Sequence, residues 1–349
     1  MVDTGSTDGS VDVAARNGAV LAYEPWRANF AVVRNRSLDL ATGDWILYID
    51  ADERARCGDA AEVRARLEAA TDHVCFRVRF VPRVNWTPYR EFRLWRNRPD
   101  IRFIGAIHET MLPSITNIAR HEHLLIGDLD ALTIEHFGYE GDQRHKHLRN
   151  EPMLRKSLEA EPGRVYLYDH LARIYEDLDD DVRARAMWRA GQAVADARGS
   201  EHPDDKLLWI NLAVHSVVRG DPDGDVEPLL ADAFQRFGDV PALDFAAAVH
   251  EYAAGDAASA AKRLEELLEL DLAAQMASGT SFDGRIFGEW TWHALGLCRF
   301  ALGDFAGAAE AFRLAEAADP ANAAYRSRRQ LAESRSSTPA AITTDDARR

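Results

Sequence analysis

The pattern of hydrophobic residues changes at about residue 144 of the 349-residue chain. Before that point, short apolar runs typical of strands alternate with stretches whose apolar residues recur at helical spacing. Beyond it, helical spacing continues to about residue 330. Strand–helix alternation predicts an α/β domain around a mostly parallel sheet, and the helical part predicts a separate all-α domain. We therefore expect domains at residues 1–143 and 144–326, with the polar residues 327–349 forming a disordered tail.

Four segments support the α/β prediction. Trp45–Ile49 is a continuous apolar run, which predicts a buried strand of parallel type. His73–Val81 alternates between apolar and polar residues, as in a strand with one wetter face. Phe30–Leu40 and Ala60–Ala70 carry apolar residues at helical spacing, so we expect a helix in each.

The helical part contains repeated turns, with Gly-Asp dipeptides beginning at residues 220, 255 and 303. Its last repeat follows the tetratricopeptide pattern of large and small residues. The matching residues are Trp292, Leu295, Gly296, Gly303, Phe305, Ala308, Phe312, Ala315 and Pro320. Stacked repeats of this kind form a concave surface suited to binding a partner protein or a second copy of the chain. A single irregular helical bundle is the alternative fold.

The charge balance excludes some classes of partner. Against 42 Lys and Arg residues stand 57 Asp and Glu residues, a formal net charge of −15. Such an acidic surface repels nucleic acid and anionic membranes. The three cysteines lie far apart, as expected of reduced thiols, and the sequence shows neither a signal segment nor an apolar run long enough for a transmembrane helix. We expect a cytoplasmic protein.

One acidic motif occupies a position where chemistry is expected. Asp-x-Asp pairs occur six times, but Asp50 and Asp52 directly follow the apolar run that predicts a strand. The carboxyl ends of strands are where open α/β sheets bind ligands. Two carboxylates held close together call for a hard divalent cation, Mg²⁺ or Mn²⁺, which would also bind a diphosphate. The alternative is a capped turn leading into the next helix.

Six segments together resemble the bacterial family 2 glycosyltransferases of the GT-A fold in which tetratricopeptide repeats follow the transferase domain. They occur in the order expected for that family: Val2–Ser10 (VDTGSTDGS), Ala31–Leu38 (AVVRNRSL), Ala41–Glu53 (ATGDWILYIDADE), Arg93–Asn97 (RLWRN), Phe103–Glu109 (FIGAIHE) and Ile134–Tyr139 (IEHFGY). The resemblance covers nearly all of residues 1–140. It implies an inverting transferase that moves a sugar from a nucleotide-sugar, most simply a UDP-sugar, to a protein, peptide or glycan acceptor.

The resemblance also implies roles for particular residues. Those on the side of the sugar donor are Asp3 at the nucleobase, Arg34 near the phosphates, Asp50 near the ribose and Gly105 beside the sugar. The metal ligands would be Asp50, Asp52 and His136, and the general base Glu109, with His108 as its competitor. A surface ion pair is the alternative role for Glu109, and a core histidine the alternative for His136.

The family normally has a strand and a helix ahead of the Asp3 turn, so the resemblance predicts that this first strand and helix are absent here. We expect either a start codon assigned too late or an inactive copy. In the second case the chain would be a non-enzymatic repeat scaffold with a relic transferase domain.

Overall fold

The computed structural model describes residues 1–83, 85–138, 143–199, 205–222, 226–271 and 281–337. Within these ranges the chain forms two compact units, the first built mainly from residues 1–208 and the second from residues beyond 208. The first unit holds all the strands found in the described ranges. They are β1 (Val2–Asp3), β2 (Ala22–Tyr23), β3 (Trp45–Leu47), β4 (Glu53–Cys57), β5 (His73–Val81), β6 (Tyr89–Arg96) and β7 (Leu125–His136).

Helices alternate with these strands and continue beyond them. They are α1 (Ser10–Arg16), α2 (Phe30–Asp39), α3 (Ala60–Ala69), α4 (Leu112–Glu122), α5 (Arg144–Ala160), α6 (Val165–Asp177) and α7 (Asp181–Arg198). The side chains of Asn29 and Asp59 accept hydrogen bonds from the first turns of α2 and α3, which explains where these helices begin. The predicted helices at 30–40 and 60–70 and the strand at 73–81 are confirmed.

The main sheet has the strand order β3-β6-β5-β7-β4 and is mixed, so the expectation of a mostly parallel sheet is wrong. Within it, β5 and β7 pair in parallel, whereas the other neighbouring strands are antiparallel. The reason is that β5 and β6 follow one another as a hairpin, which forces opposite directions. A separate two-stranded parallel sheet joins β1 and β2.

Strand β3 also differs from its prediction as a buried parallel strand. It pairs antiparallel with β6, and Leu47 and the following Ile49 are 38% and 40% exposed. A short apolar run carries no information about strand direction, so this error could not be avoided from sequence. The broader prediction, an α/β domain followed by a helical part, is confirmed.

Helices cover both faces of the main sheet. On one face, Ala31 and Leu38 of α2 and Ile115 and Ile118 of α4 pack with Trp95. On the other face, Val63 and Leu67 of α3 pack against a cluster that includes Phe76, Val78 and Ile134. This three-layer arrangement holds α2 beside the end of β3, where the Asp50 motif begins.

The second unit is helical throughout its described residues. Beyond α8 (Lys206–Arg219), its elements are α9 (Val226–Phe237), α10 (Pro241–Ala253), α11 (Ala257–Leu268), a 3-10 turn (Gly284–Phe287), α12 (Glu289–Ala301), α13 (Phe305–Ala318) and α14 (Ala323–Ser336). The predicted Gly-Asp turns lie between helices: Gly255 and Gly303 have φ of +93° and +82°. Asp256 and Asp304 then cap α11 and α13. None of the helices in the described ranges combines the length and apolar character needed to cross a bilayer.

Residues 327–336 continue α14, so the prediction of a disordered tail beginning at residue 327 is wrong for this stretch. Ala332 is fully buried, and Arg329 bonds both Glu316 and Glu333. Polar composition suggested disorder, but here the polar residues form ion pairs along a helix whose narrow apolar face is buried. The rest of the predicted tail, residues 338–349, lies outside the described residues.

Candidate active site

The segment after β3 places two side chains on the face of α2. Tyr48 and Asp50 are two residues apart in extended chain, so both point the same way. The Tyr48 hydroxyl donates a hydrogen bond of 3.0 Å to Oδ2 of Asp50, and Nη1 of Arg34 on α2 donates one of 2.8 Å to Oδ1. Both oxygens of Asp50 are therefore bonded to protein groups.

Arg34 joins Asp50 to Glu109. Its Nε donates to Oε1 of Glu109, and its guanidinium lies 4.4 Å from the centroid of the Tyr48 ring. The Glu109 side chain is only 7% exposed. Glu109 thus forms an ion pair, as its alternative role required, but a buried one rather than a surface one.

The pKa values of the two carboxyl groups shift in opposite net directions, although burial acts to raise both. For Glu109, burial raises the pKa and outweighs the opposing effect of the Arg34 charge. For Asp50, burial also acts to raise the pKa, but the hydrogen bond and charge of Arg34, with help from Arg93 and Tyr48, bring it below its ordinary value. Of the two carboxyl groups, Glu109 therefore takes up a proton more readily than Asp50.

Helix α2 also holds the loop that carries Glu109. The Asn35 side chain accepts a hydrogen bond of 2.8 Å from the Phe103 amide and donates one of 2.9 Å to the Phe103 carbonyl. The Phe30 amide donates to the carbonyl of Ala106 over 2.8 Å. Gly105 adopts φ of +97°, a conformation that favours glycine and turns the chain at the start of this loop. The loop from 103 to 109 is therefore fixed against α2.

A second cluster lies on the other side of the Asp50–Asp52 turn. Strands β4 and β7 pair Glu53 with His136, and the Phe137 amide donates to the Asp52 carbonyl. This register brings Oδ2 of Asp52 to 3.4 Å from Nε2 of His136 and 3.5 Å from Nζ of Lys146. Within the described residues, no three His, Cys, Asp or Glu side chains lie close enough to hold one metal ion. The structure brings Asp52 and His136 together, while Asp50 contacts Arg34 and Tyr48 instead.

The donor chemistry of Asp52 and His136 nevertheless suits a divalent cation. Nδ1 of His136 lies 3.0 Å from the carbonyl oxygen of Pro82, which only accepts, so a neutral His136 carries its proton on Nδ1. Its Nε2 lone pair then faces Asp52. A Cβ on Gly138 would lie 1.9 Å from Oδ2 of Asp52, so the absence of a side chain there makes the room for this carboxylate. Two protein ligands are enough for an ion that also binds a substrate diphosphate.

The other predicted site residues lie outside these two clusters. Asp3 begins its own turn, because its carboxylate accepts hydrogen bonds from the Gly5 and Ser6 amides. The hydrogen bond of the Ser6 side chain, together with those of these amides, holds the pKa of Asp3 below the ordinary value. The ring of His108 stacks on His170 of α6, with centroids 3.7 Å apart. Burial lowers the pKa of His108 to about 4.

Sequence reasoning missed the buried pair of Glu53 and Arg93. Nη2 of Arg93 donates to Oε1 of Glu53 over 2.9 Å, and Oε2 of Glu53 accepts a 2.7 Å hydrogen bond from the Asp50 amide. This pair therefore fixes the backbone of the Asp50–Asp52 turn. Tyr48 was also missed, although its position two residues before Asp50 in a strand was a usable signal. Lys146 and Glu53 gave no comparable signal.

Comparison with known proteins agrees with these features. Residues 1–123 match the sequence profile described as "Glycosyl transferase family 2". A TPR repeat-containing protein of Synechococcus elongatus is 31% identical over 250 residues, which are 68% of this chain and 61% of that protein. The SPbeta prophage-derived glycosyltransferase SunS of Bacillus subtilis is 26% identical over 193 residues, 53% of this chain and 44% of SunS. The chain thus spans less than two thirds of either relative.

Among solved structures, a thermophilic TPR protein of Thermus thermophilus superposes with a TM-score of 0.36 at 15% identity, covering 54% of this chain and 91% of that one. Residues 1–123 thus resemble family 2 glycosyl transferases, and the chain as a whole is similar to a TPR repeat-containing protein.

Proposed function

We propose that the chain is an inverting glycosyltransferase that moves a sugar from a nucleotide-sugar to an acceptor hydroxyl or similar nucleophile. The observation that carries this proposal is the pair of clusters on either side of the Asp50–Asp52 turn. One contains a buried carboxylate of raised pKa, Glu109, and the other contains a carboxylate–imidazole pair, Asp52 and His136. Direct displacement of a nucleoside diphosphate needs both a base and a site for the leaving group.

In this proposal Glu109 removes the proton of the acceptor as it attacks the anomeric carbon. Burial raises its pKa, which makes the carboxylate a stronger base than an exposed glutamate. Arg34 holds the carboxylate in place by donating from Nε to one of its oxygens, Oε1. Glu109 is stable in its protonated form after this step, because burial disfavours the charged carboxylate.

Asp52 and His136 are the proposed protein ligands of Mg²⁺ or Mn²⁺. A cation bound there would neutralise the charge that develops on the diphosphate leaving group. The surrounding backbone fixes the two ligands: the Pro82 carbonyl orients His136, and Gly138 leaves room for Asp52. Asp50 contributes indirectly, because it orients Arg34 beside the donor phosphates, and it would lie near the ribose.

The remaining donor contacts are proposals from the family. Asp3 would bind the nucleobase, with UDP-sugars as the first donors to test, and Gly105 would line the sugar. The helical repeats would bind a protein, peptide or glycan acceptor, or a second copy of the chain. The relative named for its TPR repeats favours a second candidate, a repeat scaffold whose transferase domain is inactive.

Asp52→Ala separates the two candidates. With UDP-glucose, UDP-galactose and UDP-N-acetylglucosamine as probes, the wild-type chain with Mn²⁺ is expected to release UDP slowly by transfer of the sugar to water. Loss of one of two protein ligands is expected to lower this release roughly tenfold to hundredfold, measured by chromatography of the nucleotide. The matched control is Asp130→Ala, from another Asp-x-Asp pair, whose carboxylate is 66% exposed and bonds Arg90. If the wild-type chain neither releases nor binds UDP, the result supports the scaffold and contradicts the transferase.

Gly138→Ala tests the cation site without removing a ligand. The new Cβ would occupy the space of the Asp52 carboxylate, which is the movable end of its side chain. We expect Asp52 to turn away from His136, with a roughly tenfold weaker Mn²⁺ affinity by electron paramagnetic resonance. Gly58→Ala is the control, since a Cβ there would have no atom within 4 Å. Equal Mn²⁺ affinity of both variants would argue against a cation between Asp52 and His136.

A further inference from the structure

The loop that carries Glu109 is closed at its base and bent twice. Ile104 and Thr110 exchange two backbone hydrogen bonds of 2.9 and 3.0 Å across the loop. Inside it, Gly105 and His108 both have positive φ, at +97° and +49°. A histidine in the left-handed region carries a conformational cost, so this geometry persists only where neighbouring groups hold it.

The groups that hold His108 come from the segment leading into α6. Nη2 of Arg164 donates a 3.1 Å hydrogen bond to the His108 carbonyl. The same guanidinium reaches the start of the loop, because Nη1 lies 3.4 Å from the position of a Cβ on Gly105. Arg164 therefore hydrogen-bonds the loop at His108 and lies beside it at Gly105.

Helix α6 adds an aromatic contact at the same place. Tyr166 and His170 are four residues apart and so share a helix face. The His108 ring packs on both, with centroids 5.5 Å from Tyr166 and 3.7 Å from His170. Burial lowers the pKa values of both histidines, so the two stacked rings are neutral near pH 7. These rings therefore support the loop by van der Waals packing and not by charge.

We propose that Arg164 is a positioning residue for the transfer reaction: from the first helical pair, it fixes the loop that presents Glu109. This inference rests on the proposed role of Glu109 as base. The transferase site then depends on a residue at the start of α6, outside residues 1–123 that match the family profile. The carboxylate follows His108 directly, so a small movement of the loop displaces it from the reacting atoms, and displacement of about 1 Å is enough for a large loss of rate.

The test is a double-mutant cycle between Arg164→Ala and Glu109→Gln in the full chain, with UDP release as the readout. We expect Arg164→Ala to lower kcat at least tenfold with the KM for the UDP-sugar within about twofold of wild type. In the Glu109→Gln background, Arg164→Ala is expected to cause no further loss, because it acts through Glu109. Arg164→Lys, which keeps the charge and one donor group, is expected to recover part of the rate. Arg155→Ala on α5, an exposed arginine, is the control.

The outcomes distinguish this inference from the proposed function. The inference is overturned if the double variant shows the full loss of both single variants combined, or if Arg164→Ala raises KM as much as it lowers kcat. Either result would show that Arg164 only supports the fold. Wild-type activity in Glu109→Gln would overturn the role of the base itself. Should Arg164→Ala fail to fold by circular dichroism, the cycle is measured with Arg164→Lys, for which the same two patterns decide.

Discussion

Glu109→Gln is expected to lower kcat for UDP release by roughly a factor of 10² to 10⁴, the usual contribution of a positioned general base. The amide keeps the shape of the side chain and can still accept from Nε of Arg34, so the loop should stay in place. What disappears is the ability to take a proton. A thermal unfolding curve close to that of the wild type would show that the loss is chemical and not structural.

The pH profile provides the control for this variant. Burial raises the pKa of Glu109, so the acid limb of kcat/KM in the wild type is expected above the pH at which an exposed glutamate titrates. In Glu109→Gln this limb should vanish. Retention of the same acid limb in the variant would assign it to another group and count against Glu109 as the base.

Local sequence patterns predicted the elements of the fold but not how they pair. Helices α2 and α3 and strand β5 were predictable because their apolar residues repeat with the period of the element. Strand direction was not predictable, because tertiary contacts decide that β5 and β6 pair as a hairpin. Composition misjudged residues 327–336 for a related reason: the ion pair of Arg329 with Glu316 forms only once α14 lies against α13.

The site shows the same division. Asp50 and Asp52 could be found because an acidic pair follows an apolar run. Their separation into two clusters could not, because it depends on residues distant in the chain: Arg34 lies 75 residues from Glu109, and His136 reaches Asp52 through the register of β4 and β7. The sequence located the turn, but its assignment of Asp50 and Asp52 to one metal site did not anticipate that Asp50 contacts Arg34 and Tyr48.

Arg34→Met is expected to destabilise the chain by about 3 kcal/mol at neutral pH, near the lower end of what breaking a buried ion pair costs. Arg34 forms ion pairs with two carboxylates at once, Asp50 and Glu109, and Met fills a similar volume without supplying charge. Arg77→Met is the matched control. Its pair with Asp128 is bidentate but exposed, with side chains 41% and 33% accessible, so we expect a loss of at most about 1 kcal/mol.

The pH dependence identifies the cause of that destabilisation. In the wild type, Arg34 acts to lower the pKa values of both carboxyl groups, and for Asp50 it gives a net lowering. The stability from Asp50 is therefore present above its unfolded-state pKa and is lost as the pH falls through the lower folded-state value. Without Arg34 we expect burial, the largest single influence at each group, to outweigh the remaining effects of Arg93 and Tyr48, so that both folded-state pKa values lie above those of the unfolded chain. The variant then loses stability as the pH rises through these raised values and regains it in acid.

Urea unfolding at pH 5 and pH 8 measures this effect. The difference in the free energy of unfolding between wild type and variant should be larger at pH 8. A difference independent of pH would mean that Arg34 acts through packing and not through its charge.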